Sequence, residues 1–334
     1  MKAMPERPKI WIPSLSANRP AGGQAQHAWQ TLVSTVVTHD ARQLTQHVSM
    51  LPITSTLEDA AKSDVYVLLN AIGRDGFEIS EVSDHGSVNH LLVKNFLGKA
   101  VFVLAGEAVV GAKQNRTFNV SMLLPPGQET VVTVTCIESG RWSAHANDVR
   151  AAKGMMPSST RRTMMDDVGR RMEEPGQELA ADQMSVWSQI SNRLVRMRMR
   201  TRTQDMNELL EHKDLTESTR EIPAPLQDQI GAVFLVDDAV VGLELFRTSD
   251  LFAASMRRLT MGYGLDAMTG NSSARTSWND ETIESVLLLI NRCKFLTKDS
   301  PGLGSEVHVT AESFVGHGLA VGDSIVHFAA MPRV

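Results

Sequence analysis

The chain has 334 residues, 42% of them apolar and 21% charged, and a formal net charge of −5 at pH 7. That length supports a sizeable core in one large unit or two modest ones, and the negative balance argues against binding nucleic acid through the overall field. Two cysteines, Cys136 and Cys293, give neither a disulfide framework nor metal-ligand spacing, so buried thiols in a reducing, cytoplasmic setting are expected.

Residues 1 to about 24 are rich in Pro, Ser, Gly and Ala around Trp11 and read as an extended arm without the apolar core of a secretory leader. From Gln26 to about Val48, the apolar residues Trp29, Leu32, Val33, Val36 and Val37 keep helical spacing and predict one helix before Pro52. Between Tyr66 and Trp142 short β-type runs alternate with turn clusters such as Gly73-Arg74-Asp75-Gly76 and Pro125-Pro126-Gly127. Strands are expected at 77–82, 88–95, 100–104, 108–111, 118–124 and 130–137. Residues 143 to about 225 turn to helix and loop, where Met184, Trp187, Ile190, Leu194 and Met197 mark one helical face. Residues 229–246 return to strand, 249–263 and 280–293 read as helices, and 306–331 close with strands.

The expected fold class is α+β, with a β-rich lobe built as a sandwich or barrel-like sheet, packed helices and a second, smaller α+β half. The segments are an N-terminal arm and helix (1–55), the β-rich lobe (56–150), a helical and loop segment (151–228) and a C-terminal α+β half (229–334). The longest aliphatic run, Val286 to Ile290, is far too short to cross a bilayer, so no membrane partner is expected.

The costliest chemistry lies at 106–119, where Lys113, Gln114, Asn115 and Arg116 offer cationic and amide donors in one unbroken run. On a flat strand these four would alternate faces, so a loop or bulge after Gly111 is expected to gather them. The alternative is a sheet-edge segment with solvated charges. Downstream, Trp142 could stack on a base-like ring or fill the core, and Arg141 could clamp phosphate oxygens or pair with Glu138 or Glu107. Glu138 is the best acid or base for a hydrolytic reaction, with Glu107 second, though as a turn residue Glu107 could equally face solvent. Asp182 and Gln183 open the 184–197 helix; they support its first turn, or Gln183 reaches the site.

Three short stretches echo one another as strand, acid-bearing turn, strand: 101–111, 233–242 and 319–327, which would put Glu107, Asp238 and Asp323 at turns. Arg193, Arg196, Arg198, Arg200 and Arg202 form a basic run; polyanion binding and pairing with the acidic stretch after residue 203 are its two readings, the second being preferred. His308, His317 and His327 match no short zinc pattern. Phosphate-loop, dinucleotide-fold and serine-hydrolase fingerprints are missing. No cofactor or metal site is expected, although Mg²⁺ stays open because carboxylate sites leave little linear trace.

Several ordered motifs resemble one family. They are Gly106-Glu107-x-x-x-Gly111-Ala112-Lys113-Gln114-Asn115-Arg116, then Asn119, Leu123-Leu124-Pro125, Cys136-x-Glu138-x-Gly140-Arg141-Trp142, Asp182-Gln183-x-x-x-Trp187, and a tail at Val315-Gly316 and Ile325-Val326-His327-Phe328. From about Tyr66 to the C-terminus this is similar to the ARG-and-rhodanese-phosphatase-associated protein domain family. Ala108 departs from the pattern, where a second acid after Glu107 is anticipated, which puts a mechanism with two adjacent carboxylates in doubt. The resemblance implies an ADP-ribose-type or other phosphorylated nucleotide ligand, linked to cyclic nucleotide or immune signalling. The leading expectation is therefore a protein that senses or sequesters such a ligand through Lys113, Gln114, Asn115, Arg116, Asn119, Arg141, Trp142 and Gln183. The rivals are a hydrolase of the same nucleotides using Glu138 or Glu107, and a non-catalytic interaction module. A nucleic-acid partner is not expected, and self-association stays open.

Overall fold

The computed structural model describes residues 9–15, 19–141, 149–270, 278 and 281–333. In chain order the first elements are β1 (Ile10–Trp11), α1 (Gly22–Val33), β2 (Val36–Thr38), β3 (Arg42–Gln43), β4 (Val48–Ser55), β5 (Lys62–Ser63), β6 (Val65–Val67) and α2 (Leu68–Ala71). The central run contains β7 (Phe77–Glu81), β8 (His90–Asn95), β9 (Ala100–Val103), β10 (Glu107–Val110), β11 (Arg116–Phe118), β12 (Met122–Leu124), β13 (Gln128–Cys136) and β14 (Arg150–Met155). Helices α3 (Ser158–Glu173), α4 (Gln183–Arg196), α5 (Met206–Leu210) and α6 (Lys213–Ser218) follow. The chain closes with β15 (Gln229–Val236), β16 (Ala239–Phe246), α7 (Ser249–Met268), α8 (Ile283–Arg292), β17 (Leu296–Asp299), β18 (Ser305–Thr310), β19 (Phe314–Val321) and β20 (Ser324–Pro332).

The fold is α+β, as expected, with its strands in mostly antiparallel sheets, a curled half-barrel among them. The largest sheet runs β17-β18-β19-β20-β16-β15-β4-β2, with β3 beside β4. Its two faces are buried on different helices: Leu243, Leu245 and Phe328 pack with Trp29 of α1 and Ile290 of α8, whereas Phe234 and Phe246 pack with Phe252, Leu259 and Tyr263 of α7. A six-stranded sheet, β14-β10-β11-β13-β8-β7, and a three-stranded one, β12-β9-β6, enclose a core containing Phe118, Val134, Val101 and Met122. Both buried faces of the largest sheet explain why β15 and β20 read as nearly continuous apolar runs.

Three expectations are corrected. The single helix over 26–48 stops at Val33, and Val36–Thr38 and Val48–Ser55 are strands of the largest sheet. The β-branched residues Val36, Val37 and Thr38 favour that outcome, and β4 gains three partners, β15 on one edge and β2 and β3 on the other. The single strand over 118–124 is two strands in different sheets, because buried Asn119 and Ser121 turn the chain between them. Thr135 Oγ1 donates to Asn119 Oδ1 at 2.7 Å, and Ser121 Oγ accepts from Ala105 N at 3.0 Å. The first of the echoed stretches is not a hairpin: β9 pairs with β6 and β12, while β10 pairs with β11 and β14. The other two are hairpins, and Asp238 (φ 64°) and Asp323 do lie at their turns.

Candidate functional site

The loop between β10 and β11 is irregular, as the sequence suggests. Gly111 has φ 130° and Ala112 has φ 49°, a left-handed conformation that an L-residue with a Cβ adopts only at a cost. The loop closes on itself where Gly111 N donates to Asn115 Oδ1 at 3.0 Å. From it the four donors divide. Lys113 turns towards the loop after β7, its Nζ donating to Asp84 O at 2.6 Å and its backbone N to Glu81 Oε1 at 3.0 Å. Arg116, wholly buried, follows it: Nη2 donates to Ser87 O at 3.2 Å and lies 3.7 Å from Glu81 Oε1.

Gln114 and Asn115 turn instead towards the segment after β13. Gln114 Nε2 donates to Glu138 O at 2.9 Å, Asn115 N to Glu138 Oε2 at 3.2 Å, and Asn115 Nδ2 to Asp205 Oδ2 at 2.9 Å. Arg141 completes this cluster. Its Nε donates to Glu138 Oε1 at 2.9 Å, Nη1 to Ala112 O at 2.9 Å and Nη2 to Asn115 Oδ1 at 3.2 Å. The guanidinium thus stitches the two motifs together, and the anticipated Arg141–Glu138 pair forms, with Nη2 2.7 Å from Oε2. Gly140 permits the closure of the next segment: a Cβ there would lie 2.9 Å from Thr203 Cα.

Gln183 sits on the far edge of β13. Its amide accepts from Cys136 N at 2.8 Å and donates to Cys136 O at 2.7 Å, so one side chain supplies what a neighbouring strand would. Asp182 caps α4, accepting from Ser185 N at 2.7 Å. Asn119 is held by Thr135 in the interior, below the cluster.

Glu107 stands apart. It is buried, its Oε2 accepts from Leu104 N at 2.9 Å, and its carboxylate is paired with Arg258 of α7 rather than facing solvent. Burial still lifts its pKa, against the opposing charge of Arg258. Ala108 packs in an apolar cluster with Ile137, Val186 and Met206. An acid at 108 would be surrounded by hydrocarbon and separated from the Glu107–Arg258 pair. Trp142 lies outside the described residues.

Three carboxylates form the acidic side, and only Glu138 was singled out from sequence. Burial would raise the Glu138 pKa, but Arg141 and hydrogen bonds from Thr203 and Asn115 N hold it below the usual carboxylate range. Asp205 is the opposite case. Burial, reinforced by the charges of Glu138 and Glu208, pushes it up to about 6 despite bonds from Asn207 N and Asn115. Glu208 is also raised, first by partial burial and then by Glu138. Asp205 is the N-cap of α5, accepting from Asn207 N at 2.9 Å, and no reading of the sequence pointed to it. Burial pushes the Cys136 thiol up to about 11, so it is not a nucleophile at neutral pH. Among the described residues no group of three or more His, Cys, Asp or Glu side chains is arranged to hold a metal ion.

Fold and site together define an α+β protein in which two polar motifs, joined by Arg141 to Asn115 and Ala112 across 26 and 29 residues of sequence, close on each other around a buried Arg–Glu pair. The profile of the ARG and Rhodanese-Phosphatase-superfamily-associated Protein domain matches residues 37–331, and the chain belongs to that family. No curated protein and no solved structure matches it.

Proposed function

We propose that the chain binds a small phosphorylated nucleotide, of ADP-ribose or cyclic-nucleotide type, at the rim formed by Gly111–Lys113, Ser139–Arg141 and Thr203. The observation that carries this reading is the convergence of both family motifs on one point, with Arg141 bonded to Ala112 O and Asn115 Oδ1. The left-handed backbone at Ala112 is a second support, since strain of this kind gathers at ligand clamps. Gln114, Asn115 and Arg116 are largely buried and build the floor. Arg141 is buried and holds the two motifs together, and Lys113, partly exposed at the rim, is the cation assigned to the phosphate oxygens.

Thermal unfolding with ADP-ribose, cyclic ADP-ribose isomers, NAD and cyclic dinucleotides tests the proposal. A ligand at 100 times its Kd should stabilise the fold by about 2.7 kcal/mol, and Lys113→Ala should lose most of that gain while its ligand-free Tm stays close to wild type. Full ligand-induced stabilisation in Lys113→Ala would place the site elsewhere.

One observation favours hydrolysis of the same ligand as a second reading. The backbones of Glu138 and Asp205 lie side by side and both carboxylates accept from Asn115, while their environments drive their pKa values apart, one down and one up to about 6. Glu138 would then serve as base and Asp205 as acid. Chromatography of the incubated nucleotides decides it: new products that vanish in Glu138→Gln support turnover, and intact ligand supports binding alone.

A further inference from the structure

The basic run divides along its length. Arg193 is buried and pairs with Asp266 at 2.9 Å, and Arg196 Nη1 donates to Thr269 O at 2.7 Å. Arg198, Arg200 and Arg202 behave differently: all three are exposed, and among the described residues none forms an ion pair. No acid lies between Met197 and Gln204 to offset them. The anticipated pairing with the acidic stretch is made upstream instead, by Arg150 with Glu211 and Arg161 with Glu244.

This segment is fastened to the candidate site. Exposure alternates along it, with the arginines outward and Met199, Thr201 and Thr203 turned in, which is the period of an extended chain. Met197 and Met199 pack on the cluster of Ile137, Val186 and Ile190. Thr203 O accepts from both Ser139 N and Gly140 N at 3.0 Å, and a hydrogen bond from Thr203 reaches Glu138. The three guanidinium groups therefore stand on a strip that continues the rim already described.

The strip begins with an unusual residue choice. Arg198 N donates to Val195 O at 3.0 Å and Met199 N to Leu194 O at 2.9 Å, the two bonds that close a helix through a left-handed residue. Glycine suits that position; here Arg198 occupies it at φ 54°. A cation is kept where folding alone favours no side chain.

At roughly 3.3 Å per residue, the four steps from Arg198 to Arg202 reach at most about 13 Å, less what the turn at Arg198 and the bend at Arg202 take up. The adjacent phosphates of one nucleotide diphosphate cover far less. We infer that the strip binds a repeating phosphate chain, and that the ligand of the site is a short single-stranded oligonucleotide whose backbone runs from the rim across Arg202, Arg200 and Arg198. This deepens the phosphate-binding reading of the site and rests on it for the placement of the ligand's end. It also agrees with the negative total charge, which confines any nucleic-acid contact to a local patch.

Fluorescence anisotropy of a labelled five-nucleotide oligouridylate tests the inference, titrated at several salt concentrations, with ADP-ribose and inorganic polyphosphate as competitors. The triple variant Arg198→Ala/Arg200→Ala/Arg202→Ala should bind the oligonucleotide at least tenfold more weakly at low salt. The slope of log affinity against log salt should fall by about 2, as expected for three lost contacts to a single strand. Weaker competition by polyphosphate is expected, because the nucleotide contributes, and equal competition would show that phosphate alone is read and overturn the oligonucleotide as the ligand. The inference is overturned if the triple variant keeps wild-type affinity and slope. Failure of the site reading looks different: oligonucleotide binding would depend on the three arginines yet be untouched by Lys113→Ala, and ADP-ribose would not compete.

Discussion

Asp205 shows how a residue without a motif becomes the most responsive group of the cluster. Its carboxyl, mostly buried and beside Glu138, has a folded pKa of about 6 against an ordinary value of 3.8. A raised carboxyl pKa contributes stability that is fully present below 3.8 and is lost as pH rises through about 6. The two-unit displacement corresponds to about 3 kcal/mol of penalty above that range. Asp205→Asn keeps an acceptor for Asn207 N but leaves one of the two present bonds, to Asn207 N or Asn115 Nδ2, without its carboxylate oxygen. Chemical denaturation should therefore find the variant more stable than wild type by about 1–2 kcal/mol at pH 8 and less stable at pH 4. A difference that does not change with pH would refute the account of this group. At this scale sequence revealed the kinds of chemistry but not all the partners. The Glu138–Arg141 pair was legible because the two residues are three apart; Asp205 was not, because it reaches Asn115 across 90 residues.

Helix α4 positions much of the site. Its start was legible from Asp182 and most of its apolar face from the spacing of Trp187, Ile190, Leu194 and Met197, but Met184, assigned to the same face, is exposed and Val186 is buried instead. Its use of Gln183 as a substitute strand edge was not legible, since the requirement arises from where β8 stops beside β13. Its far end carries Arg198 in the left-handed region. Relieving that conformation with Arg198→Gly should raise stability by about 1 kcal/mol in urea unfolding, since the Cβ is the source of the cost. Loss of stability instead would show that the Arg198 side chain holds the fold, against the exposed role assigned to it. The helix expected to reach Val48 fails for a related reason: Val36 and Val37 keep helical spacing, but spacing alone does not separate a helix from β-branched residues awaiting a sheet partner.

Across the whole molecule, a buried polar network joins the largest sheet to the rest. Glu244 of β16 is paired with Arg161 of α3, accepts from Tyr263 Oη at 2.9 Å, and lies 3.1 Å from His327 Nε2; His327 Nδ1 in turn meets Ser121 Oγ at 2.9 Å. Burial would raise the Glu244 pKa, but Arg161 and His327 hold it down to about 2. Serine, histidine and glutamate occur here in hydrogen-bonded order, yet all three are closed to solvent and act as a structural tie. Glu244→Gln would leave the Arg161 guanidinium buried without its counter-ion, and should cost about 3–5 kcal/mol in urea unfolding. A loss under 1 kcal/mol would mean that the network is dispensable. None of these contacts was legible in sequence, because each joins residues from different elements through the interior. The claim on which the functional account stands is that the two motifs closed by Arg141 form the ligand's seat. Hydrogen–deuterium exchange with and without ADP-ribose tests it most directly: added protection of amides in 111–116 and 136–141 is the predicted result, and protection confined to other parts of the chain would contradict it.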